Sequence, residues 1–225
     1  MTWVVKIGGS LQSSPHLRDW LTLLAEEGGG RIVIVPGGGE FADRVRATQA
    51  GLGFDDATAH RLAMQGMEEY AKVLAGMEPR LAFAATEVQI QECLAADRVP
   101  VWLPLQMAGH APEIPQDWSV TSDSLALWLA RRLNAEALVL VKSVQLPEFK
   151  DVAELAAAGY IDAAFASFLR GYRGIATCLA VDQLDEIAAL LRSGRVPGRK
   201  RLVSFASSPK ECPPVVTGSL TRTCS

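Results

Sequence analysis

Two stretches near the amino terminus share one plan, and that repetition constrains the fold more than any other feature of the sequence. The first, Thr2-Trp3-Val4-Val5-Lys6-Ile7-Gly8-Gly9-Ser10-Leu11, is an apolar run that carries one lysine and ends in paired glycines. The second, Arg31 to Val35, is apolar again and closes on Pro36-Gly37-Gly38-Gly39. After the first, Ser14-Pro15 suits a helix cap and first helical residue, and Leu17, Trp20, Leu21 and Leu24 recur on one helical face before Gly28-Gly29-Gly30. After the second, a helix is expected from Glu40 to around Ala50. Strand, glycine loop and helix, twice in succession, predict an α/β fold with a parallel sheet, because parallel neighbours need a crossover of about a dozen residues or more. An apolar run without polar alternation is the pattern of a strand covered on both faces, and ligands of such sheets bind at the carboxyl ends of the strands.

The rest of the chain continues in the same style. A long helix is expected from Asp56 to Met77, with Ala63, Gly66, Met67, Tyr70, Ala71, Leu74 and Met77 on one face. Met64, Met67 and Met77 suit either adaptable core filling or the flexible lining of a small-molecule pocket. Arg80 to Ala84, Glu87 to Ala95 and Val99 to Leu103 read as strand, helix, strand. Pro104 to Trp118 reads as a loop of a length that is commonly functional. Thr121 to Asn134 is a helix that Thr121 can cap, with Leu125, Trp128, Leu129 and Leu133 toward the core. Ala137 to Val141 is a third apolar strand, ending in Lys142. Two short helices are expected within 151–171, then a last helix capped by Asp182, with Leu184, Ile187, Ala188 and Leu191 on one face and Gly194 as its stop. Gly198 to Phe205 is a candidate final strand. From Ala206 the composition turns to serine, proline, lysine and threonine, which predicts a poorly ordered tail, with Val215-Val216 as an alternative edge strand.

Composition narrows the function classes. A 225-residue chain with 49% hydrophobic and 21% charged residues is an ordinary globular composition. A net charge of −3 argues against nucleic acid or an anionic membrane as the main partner, while leaving room for a local cationic pocket. Cys93, Cys178, Cys212 and Cys224 have no short pair spacing, so neither a zinc site nor a disulfide framework is indicated, and thiols in a reducing cytoplasm are expected. The amino terminus enters a strand without a signal-like apolar core, which adds to the expectation of a cytoplasmic protein.

The chemistry is expected at the first glycine loop. Gly8 and Gly9 let backbone N–H groups approach an anion, and Lys6 places positive charge beside them, although a strand ending in two glycines also makes a plain tight turn. Taken with Pro36-Gly37-Gly38-Gly39 and with Val120-Thr121-Ser122-Asp123-Ser124-Leu125-Ala126, the ordered set resembles the amino acid kinase family, which includes acetylglutamate, aspartate, uridylate and isopentenyl phosphate kinases. The resemblance runs over residues 1–205 and implies a three-layer α-β-α sandwich with a mainly parallel central sheet, in one domain with an acceptor side and a nucleotide side. It implies ATP with Mg²⁺, bound largely through phosphate oxygens and water, and a homo-oligomer. Position by position, Lys6 would contact the transferring phosphoryl group, and Gly8, Gly9 and Ser10 would hold nucleotide phosphates. Gly37, Gly38 and Gly39 would hold the acceptor, and Asp123 would orient the catalytic lysine. By itself, Asp123 at a helix start is equally explained by the helix dipole. Lys142 is a candidate nucleotide contact, or else a surface lysine.

Two departures from the family pattern stand out. Many members carry Gly-Gly-Met-x-x-Lys in the later half, where this chain has Ala158-Gly159-Tyr160-Ile161-Asp162-Ala163-Ala164-Phe165. The usual Val-Asp-Gly after the nucleotide-side strand is replaced by Val144-Gln145-Leu146. Either Lys142, Arg170 or Arg173 substitutes for the second lysine, or the chemistry is lost. The layout is most similar to the archaeal and methylotroph branch that makes a diphosphate from an aminomethylfuran methyl phosphate in methanofuran synthesis. For such an acceptor, Asp43 and Arg44 are candidate binding residues beside Glu40, and Arg46 and His60 are further candidates against the plainer readings of an ion-paired helix face and a helix-start histidine. Kinases of a carboxylate acceptor and a non-catalytic nucleotide- or metabolite-binding regulator remain the alternatives.

Overall fold

The computed structural model describes residues 1–147 and 151–195, and the backbone of 203–205. Its centre is a seven-stranded sheet of β1 (Trp3–Ile7), β2 (Ile32–Pro36), β3 (Leu81–Ala84), β4 (Val99–Trp102), β5 (Ala137–Lys142), β6 (Ile175–Ala180) and β7 (Val203–Phe205). The spatial order is β3-β4-β2-β1-β5-β6-β7, with every pairing parallel except β6 with β7. β1 therefore lies between β2 and β5, with Ile7 level with Pro36 on one side and Val141 on the other. The chain builds outward from β1 in both directions, which is the switch point at which open parallel sheets leave a crevice.

Nine helices flank the sheet among the described residues: α1 (Leu17–Glu27), α2 (Gly39–Leu52), α3 (Asp56–Met77), α4 (Glu87–Ala95), α5 (Leu105–Ala108), α6 (Ser122–Arg132), α7 (Val152–Ala157), α8 (Phe165–Leu169) and α9 (Leu184–Ser193). Alternate strand residues point to opposite layers. Val4, Val33, Val35, Leu138 and Leu140 pack with α4, α6 and α8, while Trp3, Val5, Ile32, Ile34 and Val139 pack with α1 and α9. α3 feeds both layers, Met64 and Met67 into the first and Tyr70 and Leu74 into the second. The three-layer α-β-α sandwich expected from the sequence is the observed fold, and its inner strands are buried on both faces.

Several local expectations change. α1 starts at Leu17 rather than Pro15, because residues Gly9–Ser13 form a 3₁₀ turn that carries the chain past Ser14 in extended backbone. Within the expected loop 104–118, residues Leu105–Ala108 make one helical turn, anchored where the Glu68 carboxylate accepts the Leu105 N–H at 3.0 Å. No strand is expected between the short helices and Asp182, yet β6 fills that space; it is as long as β5, but Thr177 and Cys178 break its apolar run. Asp182 does not cap α9. Gln183 occupies that position, and the Asp182 carboxylate accepts from Gln145 Nε2 instead, at 2.7 and 2.6 Å. Asp55 caps α3 by accepting from the Thr58 N–H, and Gly194 ends α9 in the left-handed region at φ +63°, as its lack of a Cβ permits. The expectations for the tail after residue 205, for Val215-Val216 and for Cys212 and Cys224 fall outside the described residues. No helix among the described residues is long and apolar enough to cross a membrane.

Candidate active site

β1 contains one residue that an all-apolar strand would not hold. Lys6 is only 6% exposed, and its ammonium lies on the face covered by α6. The first turn of α6 brings Asp123 to it: Lys6 Nζ is 3.0 Å from Asp123 Oδ1. Lys142, the last residue of β5, reaches the other oxygen, with Nζ 2.7 Å from Asp123 Oδ2. One buried carboxylate thus holds two ammonium groups from adjacent strands. Burial by itself would raise the Asp123 pKa, but the charges of Lys142 and Lys6 outweigh it and hold the carboxyl at about 2. Burial lowers the Lys6 pKa; Asp123 opposes that change and the neighbouring Lys142 charge adds to it. Such a cluster is poor evidence for stability, since desolvation offsets most of the attraction. Strongly perturbed groups gathered at a crevice are better explained by chemistry.

The two glycine loops meet beside this cluster. A Cβ on Gly9 would lie 2.1 Å from the Gly39 nitrogen, and one on Gly37 would lie 2.2 Å from the Gly9 nitrogen. Those glycines are required by the contact between loops, in addition to any approach of an anion. Gln12 Oε1 accepts the Glu40 N–H at 3.4 Å, and Ser10 Oγ donates to Ser143 Oγ at 3.0 Å, so the loop after β1 is tied to the loops after β2 and β5.

Two cavities open there. The larger, 610 Å³, runs over Gly38, Gly39, Asp43, His60, Met64 and Met67. The smaller, 390 Å³, runs over Gly8, Asp123, Lys142, Ser143 and residues Gly159 to Asp162. Lys6, Ser10, Arg46, Trp118, Thr121 and Gly159 line both, which puts Lys6 at their junction. Arg46 stacks over the Trp118 ring at 4.0 Å, and Trp118 Nε1 donates to Gln49 Oε1 at 2.6 Å, so the loop before α6 is pinned to α2. His60 is buried, with Nδ1 3.2 Å from the Asp117 carbonyl oxygen. A carbonyl only accepts, so Nδ1 carries the proton and the neutral ring presents Nε2 as an acceptor. Burial lowers the His60 pKa and favours that neutral form, and Nε2 has no partner among the described residues.

The expected site residues fall into three groups. Lys6, Gly8, Gly9, Ser10, Asp123 and Lys142 converge on the junction, and Gly38, Gly39 and Asp43 line the larger cavity. Gly37 lies behind the loop contact, its N–H donating to the Ile7 carbonyl at 2.8 Å. Arg44 lines neither cavity, whereas Arg46 lines both. Arg173 lines a separate cavity with Arg131, Asn134 and Gly174, before β6 and so at the opposite end of the sheet from Lys142. Of the candidates for a second cation, Lys142 shares Asp123 with Lys6, and neither Arg170 nor Arg173 lines either cavity. Trp118, Gln12 and Asp162 were not singled out as site residues by sequence; only the length of the 104–118 loop hinted at the first.

The sequence pattern of the amino acid kinase family matches residues 1–145, well over half of the chain. The chain belongs to the amino acid kinase family. It is 31% identical over 143 residues to the [5-(aminomethyl)furan-3-yl]methyl phosphate kinase of Methanocaldococcus jannaschii, a stretch covering 63% of this chain and 65% of that protein. The match therefore spans slightly less than two thirds of the relative's length. Among solved structures, uridylate kinase from Archaeoglobus fulgidus superposes with a TM-score of 0.65 at 17% identity, over 87% of this chain and 97% of that one. UMP kinase from Bacillus anthracis gives 0.63 at 14% identity, over 85% and 92%. At these identities the likeness is one of fold, and it extends past residue 145, where the family's sequence pattern stops.

Proposed function

We propose that this chain is a kinase that transfers the γ-phosphoryl group of ATP to a phosphate monoester, producing a diphosphate and ADP. The observation that carries this reading is the Asp123 carboxylate gripping Lys6 and Lys142 at the junction of two cavities. In the reaction, a phosphate oxygen of the acceptor forms a bond to the γ-phosphorus while the bond to the β–γ bridging oxygen breaks, and that electron pair leaves on ADP. An acceptor phosphate dianion has no proton to lose, so no general base is required. Asp123 suits that chemistry: at about 2 its pKa makes it a very weak base, and its role is to aim the two ammonium groups. Lys6 and Lys142 then neutralise charge on the transferring and leaving oxygens, where positioning and electrostatics do most of the catalysis. Lys142 takes the part of the second lysine that the segment at 158–165 lacks.

The nucleotide fits the smaller cavity, with Gly8, Ser10 and Lys142 toward its phosphates. Mg²⁺ supplies further neutralisation of those phosphates. As the family resemblance implies, its ligands would be largely phosphate oxygens and water. The acceptor fits the larger cavity. Arg46 and Lys6 face a phosphate, Met64 and Met67 wall an apolar ring, and Asp43 and Glu40 offer acceptors to an amine. An aminomethylfuran methyl phosphate of methanofuran-type cofactor synthesis has all three features, and the M. jannaschii relative's name points to the same acceptor. Residues 1–205 would act as one domain, in a cytoplasmic homo-oligomer built through α3 and its neighbours.

A second reading, a binding protein without turnover, draws support from the absence of a lysine in 158–165. Measuring ATP consumption with Mg²⁺ against aminomethylfuran methyl phosphate, uridylate and N-acyl amino acids separates the two. Turnover with a monoester is expected. No turnover with any acceptor, together with ATP binding by calorimetry, would overturn the kinase reading in favour of the second.

A further inference from the structure

The segment that lacks the family's lysine brings a carboxylate to the site. Asp162 Oδ2 accepts from the Thr121 N–H at 2.9 Å, the Thr121 hydroxyl at 3.0 Å and the Ser124 N–H at 2.9 Å, while Oδ1 accepts from the Ser124 hydroxyl. Thr121 is the N-cap of α6, and its own side chain makes no capping bond. Asp162 therefore does from a distant loop what an N-cap side chain ordinarily does, satisfying a first-turn N–H that the helix leaves orphaned. The two residues it grips flank Asp123. One further bond, from the Ala164 N–H to the Ser119 carbonyl at 2.9 Å, fastens the same loop to the segment carrying Trp118.

The arrangement is electrostatically awkward if packing is its only purpose. Asp162 is largely buried; that burial, and then the charge of Asp123, push its pKa up, while the bonds from Ser124 and Thr121 pull it back. Placing a second carboxylate beside a buried one is justified where the helix start must be held in one rotation. That rotation decides whether Asp123 Oδ1 and Oδ2 can face Lys6 and Lys142 at once.

We propose that Asp162 is a positioning residue for phosphoryl transfer, acting through Thr121 and Ser124 to hold Asp123 between the two lysines. The consequence for turnover rests on the kinase reading; the consequence for the lysines does not. Asp162→Asn keeps the shape of the side chain but removes its charge: the amide nitrogen can donate to the Ser124 hydroxyl, while the charge-assisted bonds from the Thr121 and Ser124 N–H groups become weaker neutral ones.

The test is a cycle with Asp123→Asn in the full chain. If Asp162 acts through Asp123, Asp162→Asn lowers kcat by about tenfold or more with KM for ATP within about twofold, and changes kcat by less than about twofold when Asp123 is already Asn. Equal losses in both backgrounds, or an unchanged kcat, would overturn the proposal. A readout free of turnover is the NMR signals of the Lys6 and Lys142 side-chain nitrogens, assigned with Lys6→Arg and Lys142→Arg. The Asp162 charge also reaches Lys6 directly, so the decisive comparison is Ser124→Ala, which leaves every charge in place: both signals should move there as in Asp162→Asn, and unchanged signals count against the proposal. Wild-type protein that turns over nothing while the signals still move would sink the kinase reading and leave the positioning role standing. Should Asp162→Asn fold poorly, Ser124→Ala removes one of the four bonds and should give a smaller loss of kcat with the same dependence on Asp123.

Discussion

Residues 1–145 and 151–195 line one crevice but shape it by different means. On the first side, backbone meets backbone: Gly9 and Gly37 touch where a side chain has no room, and the loops after β1 and β2 fix one another by contact. On the second side, polar side chains hold the walls, with Asp162 gripping the start of α6 and Asp182 holding Gln145. Close backbone approach is intolerant of change, because a Cβ in the wrong place must displace main chain. A side-chain tether can be rebuilt from another residue. The later segment carries Asp162 and no lysine, while Lys142 stands beside Lys6.

The comparison can be sharpened by attacking each side. The largest effect is expected from Lys6→Ala, which removes the cation at the junction. It should lower kcat by about 100- to 1,000-fold while ATP binding, measured by calorimetry, changes far less. Retained turnover would break the assignment of the junction as the reacting centre. Gly9→Ala tests the contact between loops: overlap with the Gly39 nitrogen should destabilise the protein by about 1–3 kcal/mol in urea unfolding. A neutral result would mean that the loops have slack. Arg46→Ala should raise KM for a phosphate acceptor roughly tenfold, the scale of a charge-assisted hydrogen bond, with KM for ATP less affected. An equal rise in both would move Arg46 to the nucleotide.

The smallest effect concerns His60. Its pKa is lowered by burial from an ordinary 6.5, so the unfolded chain takes up a proton at a pH where the folded one does not. Stability should therefore fall as pH drops below about 6.5, continuing down to the lowered folded value. His60→Gln should flatten that part of the stability profile, as followed by urea midpoints between pH 7.5 and 5.5. An unchanged slope would show that the ring is not held neutral.

The same contrast decides what the sequence could show. Glycine where backbones touch and apolar runs buried on two faces are local marks, and they are enough for a parallel sheet and its glycine loops. The three-layer sandwich and the approach of Asp123 to Lys6 follow only from the resemblance to the amino acid kinase family, and Lys142 reads as either a nucleotide contact or a surface lysine. Asp162 left no such mark, because its partner Thr121 lies 41 residues away and its bonds are made only once α6 and the loop before α8 are packed. Arg46 and Arg44 are indistinguishable by composition; the direction in which α2 presents them decides which one reaches the cavities. The Asp182 cap failed for a related reason, since Gln145 on another loop takes its carboxylate. β6 is as long as β5 and longer than β3, so length did not hide it; Thr177 and Cys178 break its apolar run and no glycine loop follows it.

The measurement that bears most directly on the central claim is the turnover of Lys142→Ala with ATP, Mg²⁺ and the best monoester acceptor. If the cation that the later loop lacks is supplied by the end of β5, kcat should fall about 100-fold, the scale of losing one electrostatic contact to the transferring group, with KM for ATP little changed. A kcat within about twofold of wild type would contradict the account and return the second cation to some other part of the chain.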